Sequence, residues 1–292
     1  MNVVNAVVQG VALGGLYALY ACGLSLMFGV MRIINLAHGD ITVLGAFIVW
    51  VIVDRMAISP FLAVMPVIPV MLVAGYLLQT TLLSRSLRAG VLVPLLTTFG
   101  LAIVIQNSLL QIFSPDVRSL VSRAGAISTA SWVITNDLIV PGLGLTILLV
   151  AIAVLGGLDL FLRTTGLGRA MRATAQDPDT AQLVGINAAG VYARATAIAV
   201  ATAALAGAFL AVRSTFDPAS GPTQLIFAFE AVVIGGFGSL WGTLLGGIVL
   251  GVAQNIGAQI NPQFAILAGH LVFLAVLASP RGGLLASRGS GS

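Results

Sequence analysis

The sequence PGLGLTILLVAIAVLGGLDLFL, residues 141–162, contains one charged side chain in 22 residues. A helix needs about 20 consecutive apolar residues to cross the roughly 30 Å hydrocarbon core of a bilayer. The run is continuously apolar and lacks the period-two alternation of a membrane β-strand. Residues 141–162 therefore predict a membrane-spanning α-helix, and this prediction decides the fold class.

Comparable apolar runs lie on both sides of this stretch. Hydrophobic residues make up 59% of the 292 residues and charged residues only 8%, too few to cover a soluble fold of this size. Mean hydropathy is +1.09. The sequence predicts an all-α polytopic transmembrane helical bundle of about eight spans, some of them broken or re-entrant. The other runs are 5–30, 41–53, 60–80, 91–113, 191–212, 225–257 and 263–279.

The composition excludes several classes of active site. All 13 basic residues are arginine, so the chain lacks the lysine of a P-loop and that of a Schiff-base mechanism. Cys22 is the only cysteine, which excludes an internal disulfide and a cysteine-rich metal site. His38 and His270 are the only histidines, and no H-E-x-x-H motif occurs. We expect no cofactor and no metal site.

The arginines also set the predicted orientation. Short cytoplasmic loops carry an excess of basic residues, which places three arginine clusters inside and the intervening segment 114–140 outside. The same rule accounts for the net charge of +4. We expect no nucleic acid as a partner, because no basic patch is interleaved with aromatic residues. The clusters are Arg85 with Arg88, Arg163 with Arg169 and Arg172, and Arg281 with Arg288.

The number of spans after residue 190 does not fit this orientation without a break. Residues 163–190 and the C-terminus are both predicted inside, so an even number of crossings separates them, yet three apolar runs follow. The run 225–257 is too long for one span at about 1.5 Å per residue. We predict a break at Gly236–Gly242, where glycines permit one. The run 41–53 is short for a span and follows the polar segment 35–40.

Residues 163–190 form the longest polar insertion on the predicted inside face. Asp177 suits an N-cap, Pro178 the first helical position and Gly185 a C-cap. Two capped helices that meet at a corner would form a rigid knob able to dock in a groove of a partner. The alternative is an ordinary loop whose arginines only fix the topology. The predicted helices are 167–176 and 178–184.

Several stretches of the chain resemble a known protein family. Asp179-Thr180-Ala181-x-x-x-Gly185 resembles the E-A-A-x-x-x-G coupling motif of membrane subunits in bacterial ABC importers, although Asp179 replaces glutamate, Thr180 replaces alanine and no later I-x-L-P follows. The form G-R-A-x-R-A-x-A-Q-D-P before it is similar to LivH-like permeases of branched-chain amino-acid importers. Other elements of that family, including its N-[LF]-A-H-G-[DE] signature, resemble residues 14–19, 29–40, 233–247 and 279–284.

The resemblance implies the permease subunit of an ABC importer in the bacterial inner membrane, which carries an amino acid and performs no chemistry itself. The implied partners are two cytoplasmic ATPase subunits, a sister permease in preference to a second copy, and an extracytoplasmic solute-binding protein. We expect one domain over 1–285, with a coupling loop at 163–190, and a flexible tail over 286–292. The residues that the resemblance places at the ATPase contact are Arg169, Arg172, Asp177, Asp179, Ala181 and Gly185.

Asn35, His38 and Asp40 lie between the first two apolar runs. Ionisable groups at membrane depth are costly and usually face a cavity or a partner. One interpretation is a helix break that lines or gates the translocation path. The other is a loop at the inner surface, with Asp40 capping the helix that follows. The residues alone do not separate the two, and the resemblance favours a position near the path.

Glu230, the only glutamate, also has two interpretations. It is either a cavity group that contacts a substrate ammonium or a gating arginine such as Arg213, or a charge at the N-terminus of a helix at the outer interface. In the second case it follows Pro222 and is stabilised by the helix dipole. We expect the second.

Small residues recur at a spacing of four in the first and seventh apolar runs. This spacing lets helix backbones approach closely in lipid. We expect these glycines to pack inside the bundle, and a seam between subunits is the alternative. The glycines are Gly10 and Gly14 in the first run and Gly238, Gly242 and Gly246 in the seventh, with Gly236 at the predicted break.

Two other functions fit parts of the sequence. An ATP-independent secondary transporter or channel for a small polar solute would share the broken helices but needs no docking knob. An intramembrane serine hydrolase would use Ser239 as nucleophile and His270 as base, which requires hydrogen-bond reach between them and an oxyanion hole. The sequence offers only a lone Gly-Ser dipeptide for that chemistry.

Overall fold

The computed structural model describes residues 3–87, 89–90, 92–135 and 138–279. Helices follow one another along the chain, and the described residues contain one two-stranded hairpin, in which β1 Ser131–Thr135 pairs antiparallel with β2 Leu138–Pro141. The helices are α1 Val3–Met31, α2 His38–Met56, α3 Pro60–Leu78 with a π-helical turn Gln79–Leu83, α4 Ser84–Leu87, α5 Val93–Phe113, α6 Ala126–Thr129, α7 Gly142–Thr164, α8 Gly166–Gln176, α9 Pro178–Leu183, α10 Ala188–Arg213, α11 Gly221–Gly235, α12 Leu240–Ile260 and α13 Phe264–Leu277. Arg88, Arg281, Arg288 and the predicted tail 286–292 lie outside the described residues.

The predicted all-α polytopic bundle is confirmed. Six helical stretches are long and apolar enough to cross a membrane: α1, Pro60–Leu87, α5, α7, α10 and α12. α11 and α13 are shorter apolar helices. The predicted run 41–53 was too short, because α2 is a helix of 19 residues whose first turn includes His38, Gly39 and Asp40.

Helices α1 and α10 form the centre of the bundle. In each of them 83% of the most apolar 18 residues is buried within the chain, against 17–22% in the spans of α3, α5 and α7. α1 packs against α7, α10, α11 and α12, while α10 also packs against α2 and α3. Because lipid supplies no hydrophobic drive between helices, close van der Waals contact between small residues holds this centre together.

Glycines set the distance between α1 and its neighbour α12. A Cβ atom at Gly14 would lie 2.4 Å from Cα of Ile248, and one at Gly10 would lie 2.5 Å from another α12 backbone atom. On a different face of α12, a Cβ atom at Gly246 would lie 2.1 Å from the carbonyl oxygen of Ala231 in α11. Gly14 and Gly246 therefore lie at contacts inside the chain and not at a seam between subunits.

Helices α11 and α12 form the broken element that the sequence predicts. The chain turns at Gly236 and Gly238, which have φ of 96° and 76°, in the region that favours glycine. α12 follows Ser239, so Gly242 is already helical. A Cβ atom at Gly235 would lie 2.0 Å from the carbonyl oxygen of Gly242, which leaves no space inside this hairpin. With the break, four apolar helices, α10 to α13, follow residue 187 in the described chain.

Replacing Gly14 with valine is expected to destabilise the bundle strongly. The added side chain would overlap the α12 backbone, which no rotamer change relieves, and overpacking of this kind costs about 3 kcal/mol. Gly157→Val in α7 is the matched control, because no atom lies within 4 Å of a Cβ atom at Gly157. The unfolding midpoint of the detergent-purified protein measures the effect. A wild-type midpoint for Gly14→Val would contradict this packing.

Candidate functional site: coupling element and buried junctions

The polar loop folds into α8 and α9, and we call residues 166–185 the coupling element. Asp177 ends α8 and caps α9, since its Oδ1 accepts hydrogen bonds from the backbone N–H groups of Asp179 at 3.0 Å and Thr180 at 3.2 Å. Pro178 occupies the first helical position of α9. The two helices share one corner residue, and its hydrogen bonds fix the direction in which α9 leaves α8.

The Asp177 carboxylate is held in its ionised form by this cap. The Thr180 hydroxyl donates to Oδ2 at 2.5 Å, and together with the backbone N–H groups of Thr180 and Asp179 it lowers the pKa of the Asp177 carboxyl below its ordinary value. A depressed carboxyl pKa stabilises the fold above the unfolded pKa, and the contribution is lost as the pH falls through the lowered pKa. The cap is therefore intact at neutral pH.

The other end of the coupling element closes at Gly185. Its φ of 86° is the left-handed conformation in which glycine ends a helix. The N–H of Gly185 donates to the carbonyl of Gln182, and the N–H of Ile186 to that of Ala181, both at 3.0 Å. Ala181 is buried and holds α9 against the bundle. Both ends of α9 are thus fixed by hydrogen bonds.

The tip of the coupling element exposes two apolar side chains that the sequence did not predict as functional. Leu183 is 87% exposed and Val184 is 73% exposed. Asp177, Asp179 and Thr180 are exposed on the same short helix. An apolar pair directly before a C-capping glycine, at the end of a polar loop, was the signal available in the sequence. The tip presents an apolar centre beside a carboxylate-rich edge.

The two predicted arginines lie on α8 and have other surroundings. Arg169 donates to the backbone oxygen of Thr164 at 3.0 Å and so joins α8 to α7. Arg172 lines a cavity of about 450 Å³ between α1, α7, α8 and the turn before α12, together with Ser239 and Trp241. The six predicted coupling residues therefore lie in two places: Asp177, Asp179, Ala181 and Gly185 on or next to α9, with Ala181 buried, and Arg169 and Arg172 on α8.

Asp159 connects the C-terminal end of α7 to the break between α11 and α12. Its carboxylate accepts from Nε of Arg163 at 2.9 Å and from Nε1 of Trp241 at 3.2 Å. On the opposite side of the break, a Cβ atom at Gly29 of α1 would lie 3.2 Å from Cα of Gly238. The helix that leads into the coupling element is thus bonded to the broken element, which also contacts α1.

Asn35, His38 and Asp40 are buried inside the bundle, where α2 begins. Nε2 of His38 lies 2.8 Å from the backbone oxygen of Tyr20, which is about 16 Å from the Met31 end of α1 at 1.5 Å per residue. The interpretation as a loop at the inner surface is therefore wrong. α2 starts at membrane depth, and its first turn has no side-chain cap.

The connection before α11 repeats the connection before α2. Residues 35–39 read Asn-Leu-Ala-His-Gly and residues 217–221 read Asp-Pro-Ala-Ser-Gly. In both, the side chain of the first residue accepts from the backbone N–H of the third, at 3.0 Å and 2.7 Å. The N–H of the fourth donates to the carbonyl of the first at 3.1 Å in both. In addition, α1 packs against α11 and α12 as α10 packs against α2 and α3. The chain contains two similar halves.

The two repeated connections meet at a contact that we call the central junction, residues 35–40 and 217–221. A Cβ atom at Gly39 would lie 2.0 Å from the carbonyl oxygen of Gly221, and one at Gly221 would lie 2.1 Å from Oδ1 of Asp40. That oxygen and Nδ1 of His38 are buried, and neither has a hydrogen-bond partner in the described part of the chain. Polar groups without partners in the bundle interior are costly.

Glu230 lies deep within α11, and its expected position at the outer interface was wrong. The helix begins at Gly221, so Glu230 follows two turns later, where the inward face of α11 buries it. Its Oε1 pairs with Nδ1 of His270 on α13, and no bond to Arg213 is present. Its Oε2 has no partner among the described residues. The pair joins α11 to α13 inside the membrane.

The geometry does not support a serine hydrolase. Ser239 caps α12, where its Oγ accepts from the N–H of Gly242 at 3.0 Å. His270 is paired with Glu230 and follows Gly269, which contacts Gln254 near the other end of α12. About 22 Å of helix separates Ser239 from that level. Within the described residues, no three His, Cys, Asp or Glu side chains are grouped to hold a metal ion.

A double-mutant cycle on Glu230 and His270 is expected to show coupling. His270→Leu leaves a buried carboxylate without its partner, and Glu230→Leu leaves the imidazole unpaired. Residues joined in one hydrogen-bonded pair are expected to show a coupling of about 1–2 kcal/mol. Unfolding midpoints of the two single variants and of Glu230→Leu/His270→Leu measure it. Strictly additive losses would contradict an energetic pair.

Residues 6–278 match the family described as the permease component of branched-chain amino acid transport systems. The high-affinity branched-chain amino acid transport system permease protein BraD of Pseudomonas aeruginosa is 32% identical, over 94% of this chain and 93% of its own length. Escherichia coli K12 has two relatives of the same description. LivH is 28% identical over 94% of this chain and 92% of its own length. LivM is 29% identical over 40% of this chain and 28% of its own length. No solved structure matches the chain significantly. The chain therefore belongs to the family of branched-chain amino acid transport system permease components.

Proposed function

We propose that the chain is the permease subunit of an ABC importer in a bacterial inner membrane and carries branched-chain or related amino acids inward. Two separate cytoplasmic ATPase subunits hydrolyse the ATP. A sister permease and an extracytoplasmic solute-binding protein complete the assembly. The observation that carries this proposal is the coupling element, a capped corner on the predicted cytoplasmic face with an exposed apolar tip.

The tip has the properties of a docking surface. Leu183 and Val184 are among the most exposed large apolar side chains of the described residues, and exposed apolar surface rimmed by polar groups marks interaction sites. The caps at Asp177 and Gly185 fix the orientation of the pair, so binding requires little further ordering. A short helix presented in this way suits a groove on a partner. A loop that only fixes topology needs neither the caps nor the apolar pair.

The coupling element also has a route by which to transmit movement. Gly168, Met171 and Thr174 form the buried face of α8, and a Cβ atom at Gly168 would lie 2.4 Å from the carbonyl oxygen of Leu162 in α7. A displacement of α8 therefore shifts α7. Asp159 in α7 then carries the shift to the break before α12.

The central junction and Glu230 form the proposed gate. Asn35 and His38 hold the start of α2, Asp40 is buried there against Gly221, and Glu230 joins α11 to α13. Non-helical backbone at membrane depth is tolerated only where protein or a cavity surrounds it. At the central junction two helices start, and two buried atoms, Nδ1 of His38 and Oδ1 of Asp40, have no hydrogen-bond partner in the described part of the chain. If the two helix starts separate, these atoms can form hydrogen bonds to other groups.

The solute class rests on the relatives. BraD and LivH are each named for high-affinity branched-chain amino acid transport, and each aligns with 94% of this chain. Alignments of that extent include both halves of the bundle, the coupling element and the central junction. Branched-chain amino acids are accordingly the first solutes to test.

Leu183→Asp is expected to reduce ATP-driven leucine uptake at least tenfold in proteoliposomes that contain the complete transporter. The new carboxylate would have to lose its water inside an apolar groove of the ATPase. Gly185→Glu should reduce uptake similarly, because a glutamate residue rarely adopts the backbone φ of 86° that Gly185 has. Co-purification of the ATPase subunits is the second readout and should fall in parallel.

Leu92→Asp is the matched control, since Leu92 is 70% exposed on the same predicted side but outside the coupling element. It should leave uptake and co-purification unchanged. Wild-type uptake by both Leu183→Asp and Gly185→Glu would refute the assignment. Uptake that continues without ATP and collapses with an uncoupler would identify an ATP-independent secondary transporter instead.

A further inference from the structure

Helix α5 is the least buried span of the described chain, with 17% of its most apolar 18 residues buried. One of its exposed faces is small and polar. The spacing of three and four residues places these side chains on a single face of the helix. We call this face the α5 stripe, and its members are Gly100, Val104, Asn107, Ser108 and Gln111, all exposed.

The α5 stripe lies at membrane depth. The 21 residues of α5 span about 31 Å, which matches the hydrocarbon thickness of a bilayer. Asn107 and Ser108 are then roughly 8–9 Å from the outer end of the helix, and Gly100 is close to its middle. The polar members of the stripe therefore face the hydrocarbon region unless a protein covers them.

The hydrogen bonds of the stripe are incomplete within this chain. Nδ2 of Asn107 donates to the carbonyl of Ile103 one turn earlier, at 2.8 Å. The side chains of Ser108 and Gln111 make no hydrogen bond to any residue that the structure describes. Side-chain amides and hydroxyls in lipid are costly without a partner, and between transmembrane helices they commonly supply one another with partners.

The exposed face of α3 shows what a lipid-facing surface of this protein looks like. Over the same depth it presents apolar side chains and no amide. Its exposed residues between Pro60 and Ala74 are Leu62, Met65, Pro66, Pro69, Val70, Val73 and Ala74. The α5 stripe also contains Gly100, where no atom lies within 4 Å of a Cβ position, so another helix backbone has room to approach. Amides beside an open glycine are typical of helix contacts in membranes.

We propose that the α5 stripe binds a transmembrane helix of the sister permease, one that presents small residues and hydrogen-bonding side chains. The proposal rests on the proposed function, which supplies a second membrane subunit. A distinct chain is favoured over a second copy because E. coli K12 has two relatives of this chain, LivH and LivM.

The seam would also border the central junction. α5 packs against α2, α2 against α11, and α11 against α13, so these four helices follow one another across one side of the α1–α10 centre. Leu36 within the junction donates its N–H to Thr98 of α5 at 3.1 Å. A partner on the α5 stripe therefore lies beside the helix starts that form the proposed gate.

Site-specific photo-crosslinking tests the seam in membranes of the native host. A benzophenone amino acid replaces Val104 in the stripe or, as the matched control, Val70 on α3. Val104 and Val70 are 61% and 57% exposed, and each lies about 14–15 Å from the outer end of its helix. We expect the Val104 variant to capture a related but distinct permease chain, identified by mass spectrometry, and the Val70 variant to capture lipid only.

A second pair of variants tests the close approach at Gly100. Gly100→Ile should lower co-purification of the sister permease at least tenfold, while Gly157→Ile in α7, with equally open space in this chain, should leave it unchanged. Membrane levels of both variants should match the wild type.

Capture of lipid alone, of a second copy of this chain or of an ATPase subunit at Val104 would overturn the seam, as would full co-purification with Gly100→Ile. Uptake by the unmodified transporter is measured in parallel. ATP-dependent uptake with no permease captured at Val104 refutes the seam and leaves the proposed function standing. Uptake that needs no ATP refutes the proposed function whatever Val104 captures.

Discussion

Backbone N–H and C=O groups inside a bilayer must form their hydrogen bonds within the protein, because no water is present to bond to them. Two helices of this chain, α2 and α11, begin inside the membrane under that constraint. The side chains of Asn35 and Asp217 replace the missing water by accepting from the backbone two residues later. Gly39 and Gly221 then allow the two helix starts to touch. The rest of the bundle is arranged around this contact.

Helix α1 connects the coupling element, the break between α11 and α12 and the central junction to one another. Near its middle, Tyr20 holds His38 at the central junction, and one turn earlier Tyr17 donates its hydroxyl to Gln254 of α12 at 2.5 Å. Near its C-terminal end, Gly29 contacts the break at Gly238. A single helix of 29 residues thus touches the coupling element, the break and the central junction. A shift of α1 along its axis reaches all three places together.

Much of the fold could be predicted because a helix that crosses the hydrocarbon core of a bilayer needs about 20 consecutive apolar residues. The long apolar runs are helical, with 225–257 divided between α11 and α12. The caps Asp177 and Gly185 could be predicted because capping depends on residues next to each other in the chain. The burial of Glu230 could not be predicted, since α11 is apolar on nearly all sides and no periodicity in its sequence marks the face that points into the bundle. The exposure of Leu183 depends on how α9 docks, which only the tertiary structure decides.

The internal repeat escaped prediction for a related reason. The two connections share only the alanine at the third position and the glycine at the fifth. Their first residues, Asn35 and Asp217, differ and are related by the hydrogen bonds that they accept. Side-chain chemistry at these positions is interchangeable as long as an oxygen accepts the same backbone N–H group. Two small residues in common over five positions are too weak a signal in so apolar a sequence, whereas the shared hydrogen bonds in the structure reveal the repeat.

The tightness of the central junction restricts how such a gate can move. Where Gly39 meets Gly221, the two backbones lie too close for a Cβ atom, and the Asp40 carboxylate packs against Gly221, so a rotamer change alone does not separate the two helix starts. The same holds for Gly235 against Gly242 and for Gly14 against α12. Opening must therefore shift whole helices past one another, as packed helices do in shear motions. A force applied to the coupling element can produce such a shift, because hydrogen bonds join α8 to α7 and α7 to the broken element, so that the helices move together.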